Sequence, residues 1–329
     1  MKHHAITSRH LRVPNTAACT AEFEARARHV LDLGFDGLVL DPELCEPEWA
    51  WIADYFPPET VRAAFAFTPL PRPSPLGKEP PPSVASLDRE ETDAARKRLG
   101  LQAAFLGEHG VDTLIVPPAE VDTPSRREVE HALGTAELNE LPKVIESLRR
   151  RRSNFDGLER HVDSYLRVLD SALDAADRHG IRVALMPASL ACEIPDAAQL
   201  FRVISEFAGA PLTVFANTLE LERALYCQLD GASTFLEDFR AQLTGVVLED
   251  GHLLSRHRAP GQGSVNFARW CEVRARDSVP DWTVDLAEGS CPEDLGDSLT
   301  ALQDLDSGPP STTKDGDSPF LDSPLRDFV

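Results

Sequence analysis

The stretch LTGVVLEDGHLLSRHRAPGQGSVNFARWCEV, residues 243–273, decides how the chain is read. It opens as an apolar, β-branched run of strand length. It then passes into polar and turn residues carrying Arg256, His257, Gly261 and Gly263, and from Asn266 its apolar residues recur at helical spacing. Strand, loop and helix in that order form the repeating unit of a parallel barrel. In such a barrel the loop after the strand lies at the mouth, where chemistry is done.

Outward from this stretch the same unit recurs. HLRVP, 10–14, reads as a short first strand; Thr20 then caps a helix with Phe23, Ala27, Val30 and Leu31 at helical spacing and Gly34 as its stop. FDGLVLD, 35–41, is the second strand. Helix 47–55, strand 62–68, helix 88–109 closed by Gly110, and the strand VDTLIVP follow. A long helix over 158–179 sets Leu158, Val162, Leu166, Leu169 and Leu173 on one face, and Gly180 ends it before the strand IRVALMP. The second half continues with helix 196–208, strand PLTVFAN, helical residues between 219 and 242, strand LTGVVLE, helix 266–276, strand WTVDLAE and helix 292–305. Strands separated by helices require parallel right-handed crossovers, and eight of them predict a closed (β/α)8 TIM barrel with loop insertions, one domain over 1–305.

Three stretches stand outside this pattern. TPLPRPSPLGKEPPPS makes the segment 69–82 a stiff, extended loop across the mouth, or a proline motif for a protein partner. The insertion 118–154 holds one helix begun by Thr123-Pro124, another around 141–148, and the arginine run Arg149 to Arg152, read either as a phosphate grip or as a solvated helix end. The acidic tail, 306–329, is rich in Asp, Ser and Pro; it is expected to be disordered or loosely docked, and is a second place for a protein partner. His3 and His4 are read as solvated and without a role.

Composition narrows the function classes. With 33 basic and 54 acidic residues the net charge is −21, which repels a phosphate backbone and argues against nucleic acid. The 6 cysteines include no C-x-x-C pair and read as free thiols of a reducing, cytoplasmic compartment. The first residues hold no signal-peptide core, and no apolar run approaches the roughly 18 residues of a membrane span.

The order of elements, the GFDGLVLD strand, the helix-to-strand junction HGIRVAL and above all RHRAPGQGSVNFARW resemble the xylose-isomerase-like barrel superfamily, over roughly residues 12–305. That group includes sugar-phosphate isomerases and epimerases and the endonuclease IV group. The resemblance implies a divalent metal, zinc or manganese, that polarises vicinal oxygens, and carboxylates that move a proton beside a carbonyl. It implies ligands from a Glu ending the fifth strand, an Asp or Asp-x-x-His after the sixth, a His in the seventh, an Asp-x-His loop and a Glu at the eighth. In this chain the loop reads Ser255-Arg256-His257, then Gly261-Gln262-Gly263, then Asn266.

Strand alternation tests that implication on the residues present. Ile181, Val183 and Leu185 suit the helix layer, which turns Ala184 and Met186 inward, so a thioether stands at the fifth-strand position. By the same count Asn217 ends the sixth strand with Glu220 after it. Val247 and Glu249 face inward in the seventh strand, Asp285 in the eighth with Glu288 beyond, and Asp41 ends the second. Of the implied ligands only His257 and Asp285 survive, so no resident metal is expected; Asp41, Glu249, Asp250, His257 and Asp285 form the alternative metal set. The catalytic candidates are His257, Asp285 and Glu288; the ligand-binding candidates are Asp41, Asn217, Glu220, Glu249, Arg256 and His257. His257 also has the plainer reading of a structural hydrogen bond, and the Gly-x-Gly turn reads either as a phosphate cradle or as a tight entry into the helix.

Two readings of function follow, with a third behind them. One is a sugar-phosphate isomerase or epimerase-like barrel acting on or binding a small sugar-like ligand. The other is a pseudoenzyme barrel that binds a ligand or a protein. An endonuclease IV-like enzyme needs a full zinc cluster and a cationic groove, and ranks last. The first reading requires at least three of Asp41, Glu249, His257, Asp285 and Glu288 to converge within ligand distance of one point.

Overall fold

Alternating apolar strands can bury both faces only if helices cover the outside and the barrel fills its own inside, and the computed structural model shows that arrangement. It describes residues 3–11, 20–41, 46–67, 82–137, 139–252, 257–276, 281–287 and 290–306. The first half comprises β1 (His3–Thr7), α1 (Thr20–Leu33), β2 (Gly37–Leu40), α2 (Glu46–Tyr55), β3 (Val61–Phe65), α3 (Arg89–Glu108) and β4 (Thr113–Val116). Then come β5 (Ala119–Glu120), α4 (Arg126–Thr135), α5 (Leu141–Ser153), α6 (Leu158–His179), β6 (Arg182–Leu185), β7 (Glu193–Ile194) and α7 (Ala197–Glu206). The chain continues through β8 (Leu212–Asn217), α8 (Thr218–Tyr226), α9 (Phe235–Asp238), β9 (Leu243–Leu248), α10 (Phe267–Arg276), β10 (Asp281–Val284) and α11 (Pro292–Asp306). Eight parallel strands close a barrel in the order β1-β10-β9-β8-β6-β4-β3-β2, as expected of a (β/α)8 fold.

Two elements differ from expectation. The first strand is His3–Thr7, because this segment finds partners on both sides, Ala5 lying opposite Thr283 of β10 and opposite Gly37 of β2. His10 and Leu11, assigned to a strand by pattern, instead sit in a 3₁₀ turn over Ser8–Leu11. His4 is therefore a strand residue rather than a solvated one, and its Nε2 lies 2.7 Å from Arg274 Nη2. The second departure is the small antiparallel pair β5–β7, which ties the loop after β4 to the loop after β6. The proline-rich stretch from 68 to 81, the tail from 307, and the candidates Arg256 and Glu288 lie outside the described residues.

The alternation holds strand by strand. Val183, Leu185, Val214, Ala216, Val246, Leu248, Trp282 and Val284 pack into the layer between barrel and helices. Ala5, Val39, Ala63, Ile115, Ala184, Met186, Phe215 and Val247 form a separate apolar plug inside the barrel. Phe215 fits there because residue 245 is glycine: a Cβ on Gly245 would lie 1.9 Å from the Phe215 ring.

The insertion is sealed to the barrel by a second apolar cluster in which Val129, Leu133, Leu141, Ile145 and Leu148 meet Leu190, Cys192 and Cys227. Its first helix begins at a capping box between Ser125 and Glu128, just beyond the Thr123-Pro124 start expected from sequence. The arginine run closes α5, and every member has a partner within the chain. Arg149 meets Gln228 and Asp230, Arg150 meets Glu146, and Arg151 meets Glu128. Arg152 is buried against Asp196. Arg149, Arg150 and Arg151 thus keep the solvated helix-end character, paired with carboxylates at the surface, while Arg152 alone turns into the fold.

His10 gives the fold a pH dependence. Its ring is 2% exposed, and burial first, with Arg26 adding to it, pushes the imidazole down to about 4 against the opposing pull of Asp294. A folded pKa below the ordinary 6.5 means that the unfolded chain binds the proton more readily. The stability due to a neutral His10 is thus complete above pH about 6.5, falls as pH drops, and is gone below about 4, a loss on the order of 3 kcal/mol. Urea denaturation across that window should show this slope in the wild type and a flatter one in His10→Leu; equal slopes would contradict it.

Candidate site at the barrel mouth

The site is built from strand ends. Glu249 directly follows β9 and is fully buried. Its backbone is pinned by Thr218, whose hydroxyl donates to the Glu249 carbonyl at 2.6 Å and accepts from its N–H at 3.0 Å. Its carboxylate is braced by Asn217, whose Nδ2 donates to Oε2 at 2.7 Å. The other end of that amide is occupied, since Asn217 Oδ1 caps α8 by accepting from the Glu220 N–H at 3.0 Å. Asn217 is thus a positioning residue for Glu249.

Asp285 directly follows β10, and Thr7, the last residue of β1, donates to its Oδ1 at 2.7 Å. Between the two carboxylates stands His257, with a left-handed backbone (φ 60°) that L-residues adopt only under constraint. Its N–H donates to Glu249 Oε1 at 3.2 Å, and its carbonyl accepts from the Ala287 N–H at 3.1 Å. The ring sets Nδ1 3.2 Å from Glu249 Oε1 and 3.1 Å from Asp285 Oδ2. Arg9, two residues past β1, places Nη1 on His257 Nε2 and Nε 3.7 Å from Asp285 Oδ1. A guanidinium only donates, so Nε2 accepts and Nδ1 presents its proton to the two carboxylates. Burial alone would raise the Asp285 carboxyl; the His257 hydrogen bond, the charge of Arg9 and the Thr7 hydroxyl outweigh it and hold Asp285 at about 2.

Among the described residues, the donor atoms of Glu249, His257 and Asp285 all lie within 4.8 Å of one another. The requirement of three converging groups is therefore met. The remaining candidates fall elsewhere. Asp41, 1% exposed at the end of β2, accepts from the Ser8 hydroxyl at 2.6 Å and is outside the converging group. Glu220 pairs with Arg223 at 3.3 Å. Met186 and Val247 belong to the apolar plug, as the alternation predicts.

The Gly-x-Gly turn has a different role from a phosphate cradle. Asp250 Oδ2 accepts from the N–H groups of Gly261 and Gly263, each at 2.9 Å. Asp250 Oδ1 accepts from those of Gly251 at 2.7 Å and Val265 at 3.1 Å. The chain supplies its own anion to these amides. Sequence pattern also missed Thr7, Ser8 and Arg9, consecutive residues that tie to Asp285, Asp41 and His257 respectively; the available signal was the polar triplet after the apolar pair Ala5-Ile6.

Two carboxylates and an imidazole are donor types that suit zinc or manganese. Their surroundings do not. A metal on Nδ1 would require the proton on Nε2, facing the N–H of Arg9, and a dication between the carboxylates would stand beside a guanidinium that cannot lose its charge. Asn217 Oδ1 is already a helix cap and Met186 offers no hard donor. The residues present do not fit a divalent metal well.

No protein-family model and no curated protein matches the sequence. Solved structures do. The chain is similar to an L-ribulose 3-epimerase at a TM-score of 0.64 and 11% identity, covering 93% of this chain and 95% of that one. It is similar to a D-allulose 3-epimerase from Methylomonas sp. at 0.63 and 13%, covering 92% and 98%. It is also similar to the 3-keto-D-glucoside 4-epimerase from E. coli at 0.62 and 17%, covering 92% and 99%. These likenesses show the fold, a closed (β/α)8 barrel. No helix among the described residues is long and apolar enough to cross a membrane.

Proposed function

We propose that the barrel mouth binds a small polyhydroxylated, sugar-like ligand and moves a proton beside its carbonyl, the chemistry of a sugar isomerase or epimerase. The observation that carries this is the convergence of Glu249, His257 and Asp285 with Arg9 at the ends of β9, β10 and β1. Glu249, a buried carboxylate fixed by the neutral donor Asn217, is suited to accept a hydroxyl hydrogen bond and to take up a proton, whereas Asp285, held at about 2, stays ionised and serves as an acceptor. His257 and Arg9 are the partly exposed members of the group, so a ligand would meet them first.

The pseudoenzyme reading keeps one specific support: Met186, buried at the mouth end of β6, leaves that position without a group able to move a proton. One experiment separates the two. A panel of ketoses, aldoses and their phosphates is screened by calorimetry, and any binder is incubated in D₂O while its carbon-bound protons are followed by NMR. An isomerase exchanges the proton beside the carbonyl, and Asp285→Asn weakens binding at least tenfold, about 1.4 kcal/mol. Binding without exchange would establish the second reading. Absence of any sugar binding would sink the first reading and leave the second only with a protein partner.

A further inference from the structure

We propose that Arg9 is the resident cation of this site, standing in for a divalent metal in its charge balance and presenting its free Nε–H to an oxygen of the bound ligand. The ligand half of this rests on the sugar-like reading above; the charge half does not. Arg9 reaches the cluster from β1, across the barrel seam where β1 pairs with β10. One guanidinium nitrogen is committed to His257 Nε2. Its Nε is buried without a hydrogen-bond partner, 3.7 Å from Asp285 Oδ1, too long for a hydrogen bond and close enough for charge neutralisation. A buried N–H left open is costly unless something takes it, and here it borders the three converging groups.

The surrounding hydrogen bonds fit the same assignment. One oxygen of each carboxylate is taken by a neutral donor, Asn217 on Glu249 and Thr7 on Asp285, and the other oxygen faces His257. This leaves the site one permanent positive charge to polarise a ligand carbonyl or hydroxyl. A guanidinium does that with fixed, planar donors and without a dissociable ion.

The test needs no sugar. Chelator-dialysed full-length protein is titrated with Mn²⁺ by electron paramagnetic resonance, and only the binding that Asp285→Asn abolishes is counted, which removes acidic surface sites from the measurement. Wild type should show no such binding tighter than about 1 mM, and Arg9→Met should gain at least tenfold because the competing charge is gone. Arg9→Lys, which keeps the charge, should behave as wild type. Arg9→Gln serves in place of Arg9→Met if circular dichroism shows the latter unfolded. Tight stoichiometric Mn²⁺ in the wild type, lost in His257→Ala, would overturn the proposal, as would neutral variants that bind no better than Arg9→Lys. For any sugar found in the screen, affinity should survive chelator and fall at least tenfold in Arg9→Lys, which has no Nε–H at that position.

Discussion

Arg152→Met should cost the protein about 3–5 kcal/mol of stability, because it removes one partner of a buried ion pair and leaves the other charged and unpaired. Arg152 Nη2 meets Asp196 Oδ2 at 2.8 Å, and both side chains are 7% exposed. The same guanidinium donates to the carbonyls of Ala191, at 3.1 Å, and Glu193, and to Gln199 Oε1 at 3.2 Å. One side chain from the end of α5 thus holds the loop between β6 and α7, and that loop carries β7 and the start of α7. Methionine keeps most of the packing volume, so the loss reports the charge and the orphaned acceptors rather than a cavity. Denaturant melts would measure it. Asp196→Asn in the same chain should recover part of the loss: the amide keeps its role as the N-cap of α7, where Oδ1 accepts from the Gln199 N–H at 2.9 Å, while the uncompensated charge disappears. A loss under about 1 kcal/mol in Arg152→Met would place this pair among ordinary surface ion pairs and refute the argument.

Arg152 also shows where pattern stops being informative. In sequence, 149–152 is a charge run at a helix end, and nothing local distinguishes the one arginine that turns into the fold from the three on the outside. The barrel was legible for the opposite reason. Alternation in IRVALM, LTVFAN and LTGVVL fixes each side chain to the plug or to the helix layer, and Met186, Asn217, Val247 and Glu249 lie where the count places them. The converging acids were legible through the same count, at Glu249 and Asp285, and His257 through its loop. Their partners were not. Thr7 ends a strand of only five residues and Ser8 and Arg9 enter a 3₁₀ turn at once, so neither a 2.0 nor a 3.6 period marks them. That HHAIT is a strand at all is decided by β2 and β10, which flank it only once the barrel closes. The glycine turn failed for a related reason. A Gly-x-Gly pattern announces backbone N–H groups open to an anion, and sequence cannot say that a carboxylate eleven to thirteen positions earlier folds back to occupy them.

Asp250→Ala should therefore cost about 3–5 kcal/mol, of the same order as breaking the buried ion pair, and should damage the candidate site as well. Asp250 is fully buried and accepts four backbone N–H bonds, from Gly251, Gly261, Gly263 and Val265. Hydrogen bonds to a charged acceptor are worth about 1.5–3 kcal/mol each, and some of these amides will find water when the loop relaxes, so the net loss is below their sum. The turn is packed closely around the carboxylate: a Cβ on Gly263 would lie 2.2 Å from Asp250 Oδ1 and 2.3 Å from the Gly251 nitrogen, so only glycine fits there. The consequence for the site runs through Arg258. Its backbone exchanges N–H and carbonyl bonds with Asp250 at 3.0 and 3.3 Å, fixing the chain one residue after His257. With that anchor weakened, the left-handed His257 loses the constraint that holds it between Glu249 and Asp285, and relaxation to an ordinary backbone carries the ring away from both. Hydrogen exchange would show this directly, through faster exchange of the Gly261, Gly263 and Val265 amides together with that of His257, which donates to Glu249. Asp250→Asn keeps one acceptor oxygen and should fall between alanine and wild type. If the glycine-loop amides exchanged faster while the His257 amide stayed protected, the loop would be structural only, and the geometry of the site would have to be set by Ala287 and the strand ends alone.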